Sequence, residues 1–160
     1  MKRLAPLLAF VLVFASGCGE PALTFNEAEP LDAKVSGEQA LAHVATLVAF
    51  GPRPAGSEAL EKSRLYLETE LAASGWSTRR QTFKDKTPRG EVEFTNVLAR
   101  FGEGAWEGDV EGLVASHYDT KSYEGFEFLG ANDGGSSTGL LLELARVLAQ
   151  RPEAASRIEL

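Results

Sequence analysis

The segment from Ser36 to Phe50 spaces its apolar residues as an amphipathic helix does. Ser36, followed three residues later by Gln39, fits a capping box, in which two side chains satisfy free N–H groups at the helix start. The apolar face consists of Leu41, Val44, Leu47 and Val48. This pattern predicts a first helix that is apolar along one side.

A second helix is predicted after the stretch "GPRPAGS" (51–57), whose glycines and prolines interrupt the first. Ser57 is placed to cap the second helix, and Gly75 is placed to end it. The apolar residues that align along it are Leu60, Leu67 and Leu71.

The pattern then changes to strands. The segments "WSTRRQTF" (76–83) and "EVEFTNVLARF" (91–101) are typical of strands, and the turn-rich "KDKTPRG" (84–90) separates them. A third strand is predicted at "LVAS" (113–116). A long loop then runs through "GANDGGSSTG" (130–139) to an apolar helix that ends near Gln150 and that Ser136 or Ser137 can cap. This alternation predicts an α/β fold, a three-layer sandwich with helices on both faces of a mixed, largely parallel sheet.

A last strand is predicted to begin at "SRIEL" (156–160), where the sequence stops. A central strand needs a covering helix and a neighbour, because its edge and faces are otherwise left exposed. We therefore expect residues 36–160 to be the N-terminal portion of a larger domain, which makes the chain a truncated form.

Composition narrows the choice of partners. The chain has 160 residues, of which 44% are hydrophobic and 24% charged, as in globular proteins. Its formal net charge is −7. No basic stripe exists to neutralise phosphates, so we expect no nucleic-acid partner.

The N-terminus has the organisation of an export signal. Lys2 and Arg3 precede an apolar run that is too short to span a bilayer comfortably, and "ASGC" ends at Cys18, the only cysteine. This arrangement resembles a bacterial lipoprotein signal, although Ala15 stands where Leu is usual. It predicts a signal peptide at 1–17, a linker at 18–35 after a lipidated Cys18, and an exported protein anchored in the membrane of the cell envelope. The alternative is ordinary secretory cleavage, with Cys18 left as a free thiol.

Candidate chemistry first appears at "ASHYDT" (115–120). His117 and Asp119 are two residues apart at the C-terminal end of an apolar strand, so their side chains share one face. Open α/β sheets keep their sites at such strand ends. A carboxylate beside an imidazole also suits a metal site, but a histidine that only caps backbone groups gives the same pattern.

Asp133 lies sixteen residues after His117, among glycines that permit close approach to an ion. It is a candidate metal ligand, and the alternative is a solvated acid in a glycine turn. His43 is interpreted as structural, and Glu143 as a polar position on an apolar helix. A Ser-His-Asp triad using Ser116, Ser136 or Ser137 is a weaker hypothesis, because the chain has no GxSxG motif.

Four segments, in order, resemble the N-terminal half of the zinc-dependent exopeptidase family: "GPRPAGSEA", "TNVLAR", "ASHYDT" and "GANDGGSSTGLLLELARVLA". That family contains two-zinc aminopeptidases and glutaminyl-peptide cyclotransferases, and "TPRGEVEFTNVLA" and "FLGAND" most resemble the bacterial cyclotransferases. The resemblance implies a zinc ion bound by Asp133, with His117 as a second-zinc ligand or a residue near the metal. Asp119 would then support His117 without binding the metal.

The resemblance also implies what these residues lack. The family's general-base Glu is expected after Leu160, so no catalytic residue is predicted within the chain, and the fragment alone is expected to be inactive. The implied function is a zinc-dependent glutaminyl-peptide cyclotransferase that acts on peptide or protein N-termini and forms pyroglutamate with release of ammonia. The alternatives are a zinc aminopeptidase and, from another class, a non-catalytic lipoprotein scaffold.

Overall fold

The structure, a computed structural model, describes residues 34–88 and 90–160. The predicted signal peptide at 1–17, Cys18, and the linker as far as residue 33 lie outside the described residues. The elements in chain order are α1 (Gly37–Ala49), α2 (Glu58–Ala73), β1 (Trp76–Thr87), β2 (Gly90–Phe101), β3 (Gly112–Leu113), a distorted turn (Ala131–Ser136), α3 (Ser137–Leu148), α4 (Pro152–Ala155) and β4 (Ile158–Glu159).

The sheet confirms the predicted mixed α/β architecture. The four strands of the described residues lie in the order β1-β2-β4-β3, and helices flank them. Among these strands β3 and β4 are parallel, whereas β1–β2 and β2–β4 are antiparallel. This part of the sheet is therefore less parallel than expected, because a hairpin joins β1 directly to β2.

The hairpin also corrects the turn predicted at 84–90. β1 and β2 remain paired from Trp76 opposite Phe101 to Thr87 opposite Gly90. Polar side chains therefore continue the ladder, with Lys84 directly opposite Glu93. Only Pro88 and residue 89 lie between the strands, so the turn is shorter than the composition indicated.

The predicted starts of α1 and α2 are confirmed. The Ser36 hydroxyl accepts a hydrogen bond from the Gln39 N–H at 3.2 Å, and the Ser57 hydroxyl accepts one from the Leu60 N–H at 3.1 Å. Gly75 follows α2 with a φ of +84°, the left-handed region that glycine favours at helix ends.

The core forms where α2, α3 and the hairpin meet. Its buried residues are Leu67, Leu71, Trp76, Ala99, Leu142, Ala145, Leu148, Ala155 and Leu160. The predicted apolar stripe of α2 is buried, but the stripe of α1 is only partly so. Leu47 is completely buried whereas Leu41 is 66% exposed, because α1 contacts the rest of the described structure mainly through α3 and the turn before it.

Glu143 differs from its interpretation as a simple polar position. Its side chain is fully buried and accepts two hydrogen bonds of 2.7 Å from the Arg146 guanidinium. It also accepts one from the Ser36 N–H at 2.7 Å. A buried carboxylate on α3 therefore completes the cap of α1, a task that the capping box had assigned to Gln39.

No helix in the described part of the chain is long and apolar enough to cross a bilayer.

The Glu143 contacts predict a pH-dependent part of the stability. The hydrogen bonds from Arg146 lower the pKa of Glu143, and the hydrogen bond from Ser36 lowers it further. Burial acts in the opposite direction and raises this pKa, but its effect is the smaller one. A lowered pKa stabilises the fold above the unfolded value of about 4.3, and this stability is lost as pH falls through the folded value. We expect Glu143→Gln to reduce the free energy of unfolding by about 1–3 kcal/mol at pH 7, with the difference shrinking toward pH 3. Urea unfolding at both pH values measures it, and an equal loss at both would contradict this account.

Candidate metal centre

The structure brings His117 together with both predicted acids. The His117 Nε2 atom lies 3.1 Å from Asp133 Oδ1, and the His117 Nδ1 atom lies 3.2 Å from Asp119 Oδ1. β3 ends at Leu113, so His117 and Asp119 lie in the irregular segment beyond the strand rather than within it. The two carboxylates therefore contact opposite nitrogens of one imidazole.

Asp119 lies within hydrogen-bond distance of the Nδ1 atom of His117. An imidazole that donates its Nδ1–H to a carboxylate keeps its lone pair on Nε2 when it is neutral. In that tautomer the Nε2 atom of His117, which lies on the side of Asp133, has a lone pair with which it could bind an ion. More than half of the side-chain surface of His117 and of Asp133 is exposed, so both are accessible.

The turn before α3 presents Asp133 through its glycines. Asp133 has extended backbone angles (φ −82°, ψ 106°), and Gly134 follows with a φ of +81°. A Cβ atom on Gly134 would lie 2.9 Å from His117 Cε1, and one on Gly135 would lie 2.5 Å from the Gly130 oxygen. The glycines thus provide the close approach between the turn and the histidine.

The nearby hydroxyl groups do not form the alternative triad. Ser116 Oγ donates to the His117 carbonyl oxygen at 3.2 Å and to Ser137 Oγ at 2.7 Å, while both ring nitrogens of His117 face acids. The predicted serine cap of α3 is also wrong. Ser136 already has helical backbone angles, and its hydroxyl donates to the Asn132 oxygen instead of accepting from a free N–H group at the start of α3.

His43 has the structural role that the sequence indicated. Its Nδ1 atom lies 2.6 Å from the Tyr66 hydroxyl, which joins α1 to α2 away from the acids.

Sequence reasoning missed Arg53, which is completely buried behind the site. Its guanidinium donates to main-chain carbonyl oxygens, including those of Tyr118, Leu129 and Gly130. Burial lowers the pKa of Arg53, and nearby Asp119 raises it. The only signal in the sequence was a charged residue between the two prolines of "GPRPAGS".

The donor set fits one part of a zinc site. An imidazole Nε2 and a carboxylate oxygen are both common zinc ligands, and here His117 and Asp133 converge at hydrogen-bond distance. Within residues 34–88 and 90–160, no three or more His, Cys, Asp or Glu side chains form a group that could hold a metal ion. The described residues therefore offer a pair of ligands, whereas a catalytic zinc site uses about three.

A cavity of about 190 Å³ opens beside His117. Its lining includes Leu60, Phe83 and Phe94 together with His117 and Asp119. A cavity in which polar side chains lie beside apolar ones is a candidate small-molecule or peptide-end site.

The chain is similar to a family of peptidases and to glutaminyl cyclases. Residues 96–160 match peptidase family M28. A glutaminyl-peptide cyclotransferase of Drosophila melanogaster is 32% identical over 101 residues, which cover 62% of this chain and 28% of the relative. Among solved structures, Porphyromonas gingivalis glutaminyl cyclase has a TM-score of 0.71 at 29% identity, covering 79% of this chain and 46% of that one. A Zn-dependent exopeptidase from Parabacteroides distasonis has a TM-score of 0.70 at 29% identity, covering 82% and 46%.

The fold is thus the α/β fold of the glutaminyl cyclases and of a Zn-dependent exopeptidase. The chain is related to the M28 peptidases and to the glutaminyl cyclases, which confirms the resemblance seen in the motifs. The chain spans about a quarter of the length of the Drosophila relative and under half of the two solved proteins.

Because Gly134 lies so close to His117, we expect an alanine at this position to destabilise the protein more than an alanine at another glycine with a positive φ. Gly56 has a similar φ of +83°, but a Cβ atom there would have no neighbour within 4 Å. We expect Gly56→Ala to lower the free energy of unfolding by about 1 kcal/mol through backbone strain, and Gly134→Ala by about 2–3 kcal/mol more, because the methyl group overlaps His117. Chemical denaturation measures both, and equal losses would contradict the packing described here.

Proposed function

We propose that this chain forms the N-terminal part of the catalytic domain of a glutaminyl-peptide cyclotransferase. Such an enzyme converts an N-terminal Gln of a peptide or protein into pyroglutamate and releases ammonia. The observation that carries the proposal is the 3.1 Å approach of His117 Nε2 to Asp133 Oδ1, on a glycine turn, in a chain related to glutaminyl cyclases.

In this proposal Asp133 and His117 hold or border a zinc ion. A bound zinc ion would act as a Lewis acid on the side-chain amide carbonyl of the substrate Gln. Asp119 would keep the His117 lone pair directed at the ion, and the adjacent cavity would hold the start of the peptide chain.

The reaction also needs a group that moves a proton. The substrate's own amine attacks the amide carbon, and a carboxylate must carry a proton from that amine to the departing ammonia. The resemblance assigns this role to a Glu beyond residue 160. We therefore propose that residues 1–160 alone do not turn over substrate.

A zinc aminopeptidase is the second candidate. It is favoured by the likeness to the P. distasonis Zn-dependent exopeptidase and by the access of His117 Nε2, which would suit a ligand of a second zinc ion. In that case the metal site would activate water against the first peptide bond.

We further propose that the protein is exported and held at a membrane through lipid on Cys18. The support is the sequence order at the N-terminus: two basic residues, an apolar run, and small residues before a single cysteine. Labelling of the protein with a radioactive fatty acid in a bacterial host tests this, because Cys18→Ser would abolish the label. Label that persists in the variant, or a wild type without label, would favour simple secretion.

The two enzymatic candidates predict different products. The protein should be expressed from its whole reading frame, including whatever flanks these 160 residues, and assayed with a Gln-peptide and with Leu-amide. We expect ammonia and pyroglutamyl peptide from the first and no release of leucine from the second. Leucine release alone would support the aminopeptidase, and neither product would support a scaffold.

Substitutions of the proposed site residues are expected to reduce zinc binding and turnover of the same protein to different extents. Asp133→Ala removes a ligand, so we expect loss of bound zinc and of measurable turnover. Asp119→Asn keeps the shape but weakens the hold on the imidazole, so we expect a loss of about 10–100-fold in zinc affinity or rate. Glu153→Gln, an exposed change on α4, is the control. Zinc content and turnover unaffected by Asp133→Ala would rule out the proposed site.

A further inference from the structure

Arg53 is unusual because a permanently charged side chain is fully buried among neutral acceptors. Within the described residues, every acceptor of its guanidinium is a main-chain carbonyl oxygen. The five carbonyl oxygens, at 2.9–3.3 Å, belong to Leu47, Gly51, Tyr118, Leu129 and Gly130. A buried charge is costly unless its donors are satisfied, so this geometry is tightly specified.

The acceptors come from three separate segments of the chain. The oxygens of Leu47 and Gly51 lie at the end of α1, where a cation is also favoured by the helix dipole. The Tyr118 oxygen lies between the two residues of the His117–Asp119 pair. The oxygens of Leu129 and Gly130 lie where the chain enters the distorted turn.

The main chain of Arg53 also bonds to the segment that carries His117 and Asp119. Its N–H donates to the Thr120 hydroxyl at 2.7 Å, and its carbonyl oxygen accepts from the Thr120 N–H at 3.0 Å. Thr120 in turn packs on Gly130, where an added Cβ atom would lie 2.6 Å from the Thr120 methyl group. Arg53 therefore holds the segment that carries His117 against the turn that carries Asp133.

We propose that Arg53 is a positioning residue for the metal site, which fixes the separation of His117 Nε2 and Asp133 Oδ1 through these two segments. This inference rests on the proposed zinc function, and it adds a residue that does not itself contact the metal or the substrate. A planar guanidinium donates in several fixed directions at once, whereas a lysine ammonium is a compact charge on a flexible stem. Arg53→Lys therefore keeps the charge but cannot bridge all three segments.

The test separates positioning from general stability by measuring zinc affinity. Full-length wild type, Arg53→Lys and Glu143→Gln are compared in competition with a chromogenic chelator, at a temperature where all three are folded by circular dichroism. Glu143 is the matched control, because it is also a buried charge with main-chain and side-chain partners, but it serves the α1–α3 cap. We expect the zinc Kd to rise about 10–100-fold in Arg53→Lys and to stay at the wild-type value in Glu143→Gln, although both lower the Tm.

An unchanged zinc Kd in folded Arg53→Lys would overturn the inference and leave the proposed function standing. A wild type that binds no zinc would instead refute the proposed function. If Arg53→Lys does not fold, Thr120→Ala removes one contact of the same connection, and Thr120→Ser restores the hydroxyl. We then expect weaker zinc binding in the alanine variant and recovery in the serine variant, and wild-type affinity in both would overturn the inference.

Discussion

The buried Arg53 guanidinium is the constraint on which the site depends. A charge removed from water must recover its hydration through hydrogen bonds, and here every acceptor is a main-chain carbonyl oxygen. They come from the end of α1, from the segment after β3 and from the turn before α3. Satisfying one side chain therefore fixes three loops relative to each other.

The glycine turn supplies the second requirement, which is space. Gly134 brings the backbone to within contact distance of the His117 ring, where any side chain would collide. Together Arg53 and the glycines of the turn hold the imidazole of His117 between the carboxylates of Asp119 and Asp133. The site is thus a product of loop packing and not of regular secondary structure, as is common for functional residues placed on a rigid scaffold.

Much of this arrangement was predictable from sequence, because it depended on local patterns. The caps at Ser36 and Ser57, the buried stripe of α2, and the meeting of His117 with Asp133 followed from periodicity, chain order or the family motifs. What was missed depended on contacts between distant residues. The burial of Glu143 against Ser36, the role of Arg53 and the exposure of Leu41 are set by tertiary packing, which a single-residue pattern does not encode.

The central claim is that His117 and Asp133 belong to one zinc site, and it is tested most directly by anomalous diffraction at the zinc edge from crystals of the full-length protein. The account predicts a strong peak about 2.0–2.2 Å from Asp133 Oδ1, the usual zinc–ligand distance, on the side of the carboxylate that faces His117 Nε2. A zinc peak elsewhere, with His117 still bonded directly to Asp133, would contradict it.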